Sequence, residues 1–474
     1  MILQFSVSNY RCFRKLQTLN LAASSQDKSL PDNCIVTDLP GLSGKRWIKG
    51  VALYGANASG KTTVLAALRA LAEMVKNSAK MTDPKESIPQ VEPFALAPGE
   101  PETPTAFAVA FVAEGIRYEY RVAATRERIW HESLRAFPKT KEQLWFSRDW
   151  NADSGSYAWS PERPTGFQRD TQLEGYTLGN TLFLSKAVAS NRTELGPVFR
   201  WFKRGLQFLN LGTPRGPLPR LTLKEIQDKT PLHDRIVGLL RHADLGVKGA
   251  RIIEQRPSDE EAAKLSNNLR FELANAFEPF LEEEEVEMSS ENLRKLFGGR
   301  EFRAIIKARW LQPELTHRGS GAAELPLPWA SESAGTHRFF ELAGSWLDIL
   351  SKGDTVCVDE LETSMHPLMV RELLRLFFSA TENPHSSQIL FTTHNPLLLD
   401  ATLLRRDQVW FTEKDEDGEA HLYPLTDYQP RKGESLVRGY LSGRYGAVPF
   451  IPSGLLGSFP AHESLDEPEK AAHE

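Results

Sequence analysis

The chain has 474 residues, 41% hydrophobic and 25% charged, which argues against wholesale disorder and leaves room for one large α/β core with insertions or for roughly three domains. Fifty-seven Lys and Arg against 62 Asp and Glu give a net charge of −5, so there is no general basic footprint. Contact with nucleic acid would need a local patch such as residues 200–205 or 214–224, whose plainer reading is a solvated basic face. Cys12, Cys34 and Cys357 are scattered and form no C-x-x-C pair, which excludes a disulfide framework or an ordinary zinc site. No signal-type apolar stretch opens the sequence, and no run approaches the ~18 apolar residues of a membrane span, so a cytoplasmic protein is expected.

Residues 2–7 and 16–22 read as two short strands joined by a turn holding Tyr10, Arg11 and Arg14. The strand "GVALYG" at 50–55 then feeds a glycine loop, and a helix follows, with Val64, Leu65, Leu68, Leu71 and Met74 on one buried face. A Pro- and Glu-rich loop from about 83 precedes alternating apolar and polar runs at 105–137, the pattern of an antiparallel meander. Residues 173–324 read as a mainly helical insertion, including 231–246 and 261–288. Its acidic run, Glu282 to Glu285, has no histidine or partner carboxylate at ligand spacing and reads as a solvated face or helix end rather than a metal site. Strand and helix patterns return in 325–450, with "TVCVDE", "SSQILFTTH" and "QVWFTE" as short strands, and 451–474 is a tail.

The richest chemistry lies at 55–62, Gly55-Ala56-Asn57-Ala58-Ser59-Gly60-Lys61-Thr62, which matches G-x-x-x-x-G-K-[ST] between a strand and a helix. Glycines let successive backbone N–H groups turn inward, and the new helix adds its positive end, so the loop is a phosphate cradle. Gly55, Asn57, Ala58, Ser59, Gly60, Lys61, Thr62 and Thr63 form the candidate nucleotide site. Lys61 is expected to reach the β- and γ-phosphates of ATP and the Thr62 hydroxyl to bind Mg²⁺. Mg²⁺ needs a second anchor, which Asp359 supplies at the end of the apolar strand "TVCVD". Glu360, pointing elsewhere on the extended backbone, could polarise the attacking water. His394 closes the strand "SSQILFTTH" and could hydrogen-bond the γ-phosphate.

This motif order, with "SESAGTHRFF" between the insertion and "VCVDELETSMHP", resembles the ATP-binding-cassette class. More narrowly it resembles the non-transporter branch that includes the heads of SMC and RecF-type proteins and the overcoming-lysogenization-defect nucleases. The resemblance makes Ser333 and Gly335 a signature motif, although no full L-S-G-G-Q is present; Ser364, His366 and Pro367 fall in its D-loop, and His394 becomes its switch histidine. The Q-loop glutamine is open between Gln90 and Gln168. The stretches 5–15 and 405–450 resemble the stand-alone AAA15 and AAA21 ATPases, including the RloA-like proteins of anti-phage defence. No carboxylate constellation of a nuclease follows residue 450, so that half of the lysogenization-defect proteins is not expected.

The resemblance implies an α/β fold: a P-loop ABC-type ATPase head split between 1–82 and 325–450, with a β-meander at 83–172 and the helical insertion at 173–324. In this class a signature serine cannot reach its own phosphate, so a homodimer, or an assembly of dimers, with two composite sites is implied. The function expected is an ATP-hydrolysing switch that controls a separately encoded effector in defence. The alternative is a RecF-like clamp on DNA, and a transporter subunit is a distant third.

Overall fold

The structure, a computed structural model, describes residues 1–97, 103–160, 167–209, 220–243, 246–254, 311–320, 323–431 and 433–449. Strand β1 (Ile2–Ser8) turns into β2 (Gln17–Asn20), a small hairpin of β3 (Cys34–Val36) and β4 (Arg46–Ile48) follows, and β5 (Gly50–Gly55) runs into helix α1 (Lys61–Asn77). Five strands come next: β6 (Thr105–Ala113), β7 (Ile116–Ala124), β8 (Ile129–Phe137), β9 (Gln143–Asn151) and β10 (Ser156–Trp159). Helices α2 (Thr171–Gly175), α3 (Phe183–Ala189) and α4 (Gly196–Arg200) lead through a π-helical turn, Trp201–Gly205, into β11 (Leu206–Leu209). Then follow α5 (Arg220–Gln227), α6 (Pro231–His242), β12 (Val247–Glu254), β13 (Leu311–Arg318) and β14 (Glu324–Pro328). The chain continues through α7 (Ala334–Lys352), β15 (Thr355–Val358), α8 (Pro367–Phe378), β16 (Gln388–Thr392), β17 (Val409–Lys414), β18 (Ala420–Pro424) and α9 (Leu436–Leu441).

Two large sheets organise these elements. One has the order β11-β15-β16-β5-β17-β18, parallel throughout except for β18. Its central strands are continuous apolar runs because both faces are covered: Val51 and Leu53 join one core with α1, while Ala52 and Tyr54 join another with α7 and α8. The second sheet is antiparallel, β10-β9-β8-β7-β6-β1-β2, so the meander continues the sheet that β1 and β2 begin. Along β6 every second residue is buried, and Phe107 and Phe111 reach the core that holds α1. Helix α1 is therefore clamped between the two sheets. Buried Gln388 links them, accepting from Ile2 N (2.6 Å) and donating to the carbonyls of Ile2 (3.1 Å) and Ile48 (3.0 Å).

The reading of 173–324 as mainly helical is corrected at two places. Residues 206–209 form β11, the edge strand of the parallel sheet beside β15. Strands β12, β13 and β14 form a three-stranded antiparallel sheet that runs into the start of α7. Tertiary pairing outweighed local pattern for β11 and β12, whose partners β15 and β13 lie far along the sequence, whereas β13 and β14 pair across only five intervening residues. Helix α6 accounts for most of the expected helix at 231–246, whereas 261–288, the acidic run at 282–285 and the tail lie outside the described residues. Among the described residues no helix is long and apolar enough to cross a membrane.

A buried ion pair ties the meander to α1. Glu132 and Arg148 are 2.8 Å apart with both side chains fully buried. The carboxylate also accepts from the first amides of α3, Phe183 N (2.7 Å) and Leu184 N (2.9 Å), and from the Tyr120 hydroxyl (2.8 Å). Helix α3 in turn holds the end of α1 through Ser185 Oγ donating to Val75 O (2.7 Å). Removing one partner of a buried pair leaves an uncompensated charge, so Glu132→Ala should destabilise the fold by about 3–5 kcal/mol in urea unfolding. A loss below about 1 kcal/mol would show that the network is dispensable.

Candidate nucleotide site

The strand order decides where the chemistry meets. With β15, β16 and β5 adjacent and parallel, their carboxyl ends bring the acids after β15, the histidine after β16 and the glycine loop after β5 to one edge of the sheet. The loop is shaped by close approach. A Cβ on Gly55 would lie 2.5 Å from Thr412 O, and one on Gly60 would lie 3.1 Å from both Cys12 Sγ and Ala420 Cβ. Gly60 caps α1 in the left-handed region (φ 111°), which disfavours any residue with a Cβ. Ser59 Oγ is bonded to Thr412 Oγ1 (2.7 Å), which pins the loop to β17. Asn57 and Ala58 stand exposed at its tip, Ala58 with φ 59°. Thr63 is buried and accepts from Cys12 Sγ at 3.3 Å.

Lys61 folds along the loop and donates to Gly55 O (3.0 Å) and Ala56 O (2.9 Å). Burial holds its ammonium below the ordinary lysine pKa, partly offset by the carboxylates of Asp359, Glu360 and Glu362. Thr62 Oγ1 donates to both oxygens of Asp359, at 3.0 and 3.1 Å. The two residues come from distant parts of the chain, yet they place a hydroxyl and a carboxylate together, the hard oxygen donors that suit Mg²⁺. Thr392 Oγ1 donates to Asp359 Oδ1 (2.7 Å) and accepts from Glu360 N (2.7 Å), so one hydroxyl orients both acids.

Glu360 differs from expectation in its backbone. The strand ends at Val358, and Glu360 has φ 49°, so a left-handed kink rather than strand pleat separates its direction from that of Asp359. Such conformations cost of order 1–3 kcal/mol for a residue with a Cβ and persist where the surroundings enforce them; here Thr392 does so. His394 is exposed after β16, and its backbone N donates to Glu362 Oε1 (2.5 Å). Partial desolvation of the ring and then the Lys61 charge hold its imidazole below the ordinary histidine pKa, which favours the neutral ring near pH 7.

Ser333 N-caps α7, accepting from Thr336 N at 3.1 Å, and is exposed. A Cβ on Gly335 would lie 3.0 Å from Ser364 O, so the start of α7 rests directly on the 364–367 loop. Among the described residues no hydrogen bond joins Ser333 or Gly335 to the glycine loop, whereas Lys61, Thr62, Asp359, Glu360 and His394 gather at one place. A cavity of about 340 Å³ lies beside this cluster, lined by Thr62, Asp359, Arg69 and Gln90. Gln168, the other candidate Q-loop residue, has its carbonyl on Arg192 instead. Sequence reasoning gave no role to Thr392, Glu362 or Thr412. The doublet Thr392-Thr393 at a strand end was a usable signal; the Thr412 contact had none. Among the described residues no group of three or more His, Cys, Asp or Glu could hold a metal ion.

No curated protein is matched by this chain. Among solved structures, the crystal structure of the SmcHead bound to the C-winged helix domain of ScpA aligns at 13% identity and a TM-score of 0.39, over 89% of this chain and 96% of that one, a likeness too distant to carry an argument. Residues 51–400 match the AAA_21 family, described as "AAA domain, putative AbiEii toxin, Type IV TA system". That match spans well over half of the chain, from β5 past His394, and the protein therefore belongs to the AAA_21 family of AAA-type ATPase domains.

Proposed function

We propose that the chain is an ATP-hydrolysing switch whose two sites are completed by a second copy of itself. The observation that carries this reading is the bond between Thr62 and Asp359, which joins a phosphate loop to an acid at the carboxyl edge of one parallel sheet. Thr62 and Asp359 would hold Mg²⁺, and bound ATP supplies the phosphoanhydride bond that drives the cycle. Lys61 supplies positive charge to the phosphates. Glu360 accepts the proton of the attacking water, and His394, neutral near pH 7, hydrogen-bonds at the γ-phosphate position. Ser333 and Gly335 come from the other copy, since both stand exposed or half-exposed at a helix start that makes no bond to the chain's own loop. Such an interface is isologous and closes as a dimer.

Control of a separately encoded effector in anti-phage defence is the role we favour, supported by a family description that names a toxin of a type IV toxin–antitoxin system. A clamp on nucleic acid is the second reading. In its favour is a cleft of about 840 Å³ lined by Arg69, Lys76, Lys203, Arg204 and Lys352, although Glu73, Asp348 and Asp354 line it too.

Lys61→Ala should weaken Mg-ATP binding about 10- to 100-fold by calorimetry, the worth of charge-assisted hydrogen bonds of about 1.5–3 kcal/mol. Unchanged affinity would sink the phosphate-cradle assignment. Ser333→Arg should leave ATP affinity within about twofold, because every loop residue of its own chain is intact, and yet lower hydrolysis by about 100-fold or more by displacing a group positioned at the reacting phosphate. Normal hydrolysis by purified Ser333→Arg would reduce Ser333 to a helix cap and remove the composite site.

A further inference from the structure

The insertion sheet β12-β13-β14 does not hang free of the candidate site. Strand β14 ends at Pro328, a single 3-10 turn covers Trp329–Ser331, and Glu332 then leads directly into Ser333. This short turn is gripped from two sides. On the helix side, the Trp329 ring stacks on His337 (centroids 4.1 Å apart, 27° between planes), and His337 Nε2 lies 2.8 Å from Trp329 O. On the sheet side, His317 Nε2 lies 2.7 Å from Glu332 Oε1. His317 is on β13, paired with Leu325 of β14 on one side and Val247 of β12 on the other, so it belongs to the middle strand of the insertion sheet.

The exposures make this contact consequential. The Glu332 side chain is only 4% exposed and that of His317 19%, whereas Ser333, the next residue, is exposed. A carboxylate so deeply buried must keep its partner or move to reach water, because leaving it unpaired costs its full desolvation. Any movement of Glu332 is passed to Ser333 through one peptide bond. Two further described parts of the insertion pack on the same helix: Gly344 N of α7 donates to Thr222 Oγ1 of α5 (3.2 Å), and Leu315 of β13 shares a core with Phe339 and Phe340 of α7.

We propose that His317 is a positioning residue for the signature serine, and that through it the insertion sheet is the mechanical input to the composite site. The inference rests on the dimeric reading above, in which Ser333 serves the opposing phosphate. His317 touches neither nucleotide nor metal; it fixes where Ser333 stands. A partner that displaced the sheet would therefore change hydrolysis without contacting the phosphate loop.

The test compares His317→Ala, His317→Gln and Ser333→Arg for Mg-ATP affinity, melting temperature and steady-state hydrolysis. His317→Ala should keep ATP affinity within about twofold and lose about 10-fold or more in kcat, as misplacing a reacting group by a fraction of a helical turn does. His317→Gln, whose side-chain amide can donate to Glu332 from nearly the same place, should recover most of that rate. Should His317→Ala fold poorly, Glu332→Ala breaks the same contact and leaves no buried charge, and it should show the same loss in kcat. A normal rate in a folded His317→Ala or Glu332→Ala, or no recovery by His317→Gln, overturns the proposal. The Ser333→Arg control separates the two levels: if it is inactive while His317→Ala is normal, only the positioning role falls, and if Ser333→Arg is itself normal, the composite site falls and this inference with it.

Discussion

Asp359 is the point on which the site depends. Its carboxylate takes hydrogen bonds from Thr62, at the start of the helix behind the phosphate loop, and from Thr392, at the end of the neighbouring strand. Three strand ends are thereby locked to one another at the carboxyl edge of the parallel sheet, and the same Thr392 hydroxyl fixes the backbone of Glu360 in its left-handed conformation. A site built this way requires the strand order β15-β16-β5, and that order requires covered faces above and below. Helix α1 with the antiparallel sheet covers one face, and α7 with α8 covers the other.

That arrangement explains why so much structure surrounds so short a motif. The meander supports α1 through α3 and the buried Glu132–Arg148 pair. The insertion supports α7 through α5, α6 and the small sheet. The meander side thus backs the glycine loop, and the insertion backs the helix that begins at Ser333. Helix α7 also touches the loop after β15, where Gly335 approaches Ser364, so a shift at the start of α7 has a short path to the acids that follow β15.

What could be read from the sequence was whatever is local. The phosphate loop is eight consecutive residues whose glycines are demanded by contacts within a few ångströms, and the acids ending an apolar strand announce themselves in the same way. The alternation at 105–137 was equally plain, since a sheet with one buried face writes its period into the chain. Elements defined by distant partners were hidden. The four residues of β11 are a strand only because β15 lies beside them, and β12 is a strand because β13, a long intervening segment away, lies beside it; β13 and β14 are neighbours in the sequence, and their pairing was missed without that excuse. The left-handed turn at Glu360 was invisible too, because its cause is a threonine on another strand.

The central claim is that ATP joins two copies by completing each site with the other's signature. The most direct measurement is the solution mass of Glu360→Gln with and without Mg-ATP, by light scattering after gel filtration. Losing a positioned general base costs on the order of 10²–10⁴ in rate, so ATP should persist in this variant. The account predicts one chain mass without nucleotide and twice that mass with it, an increase abolished when Ser333→Arg is added to the same chain. A Glu360→Gln protein that binds Mg-ATP to saturation and keeps a single chain mass would contradict it.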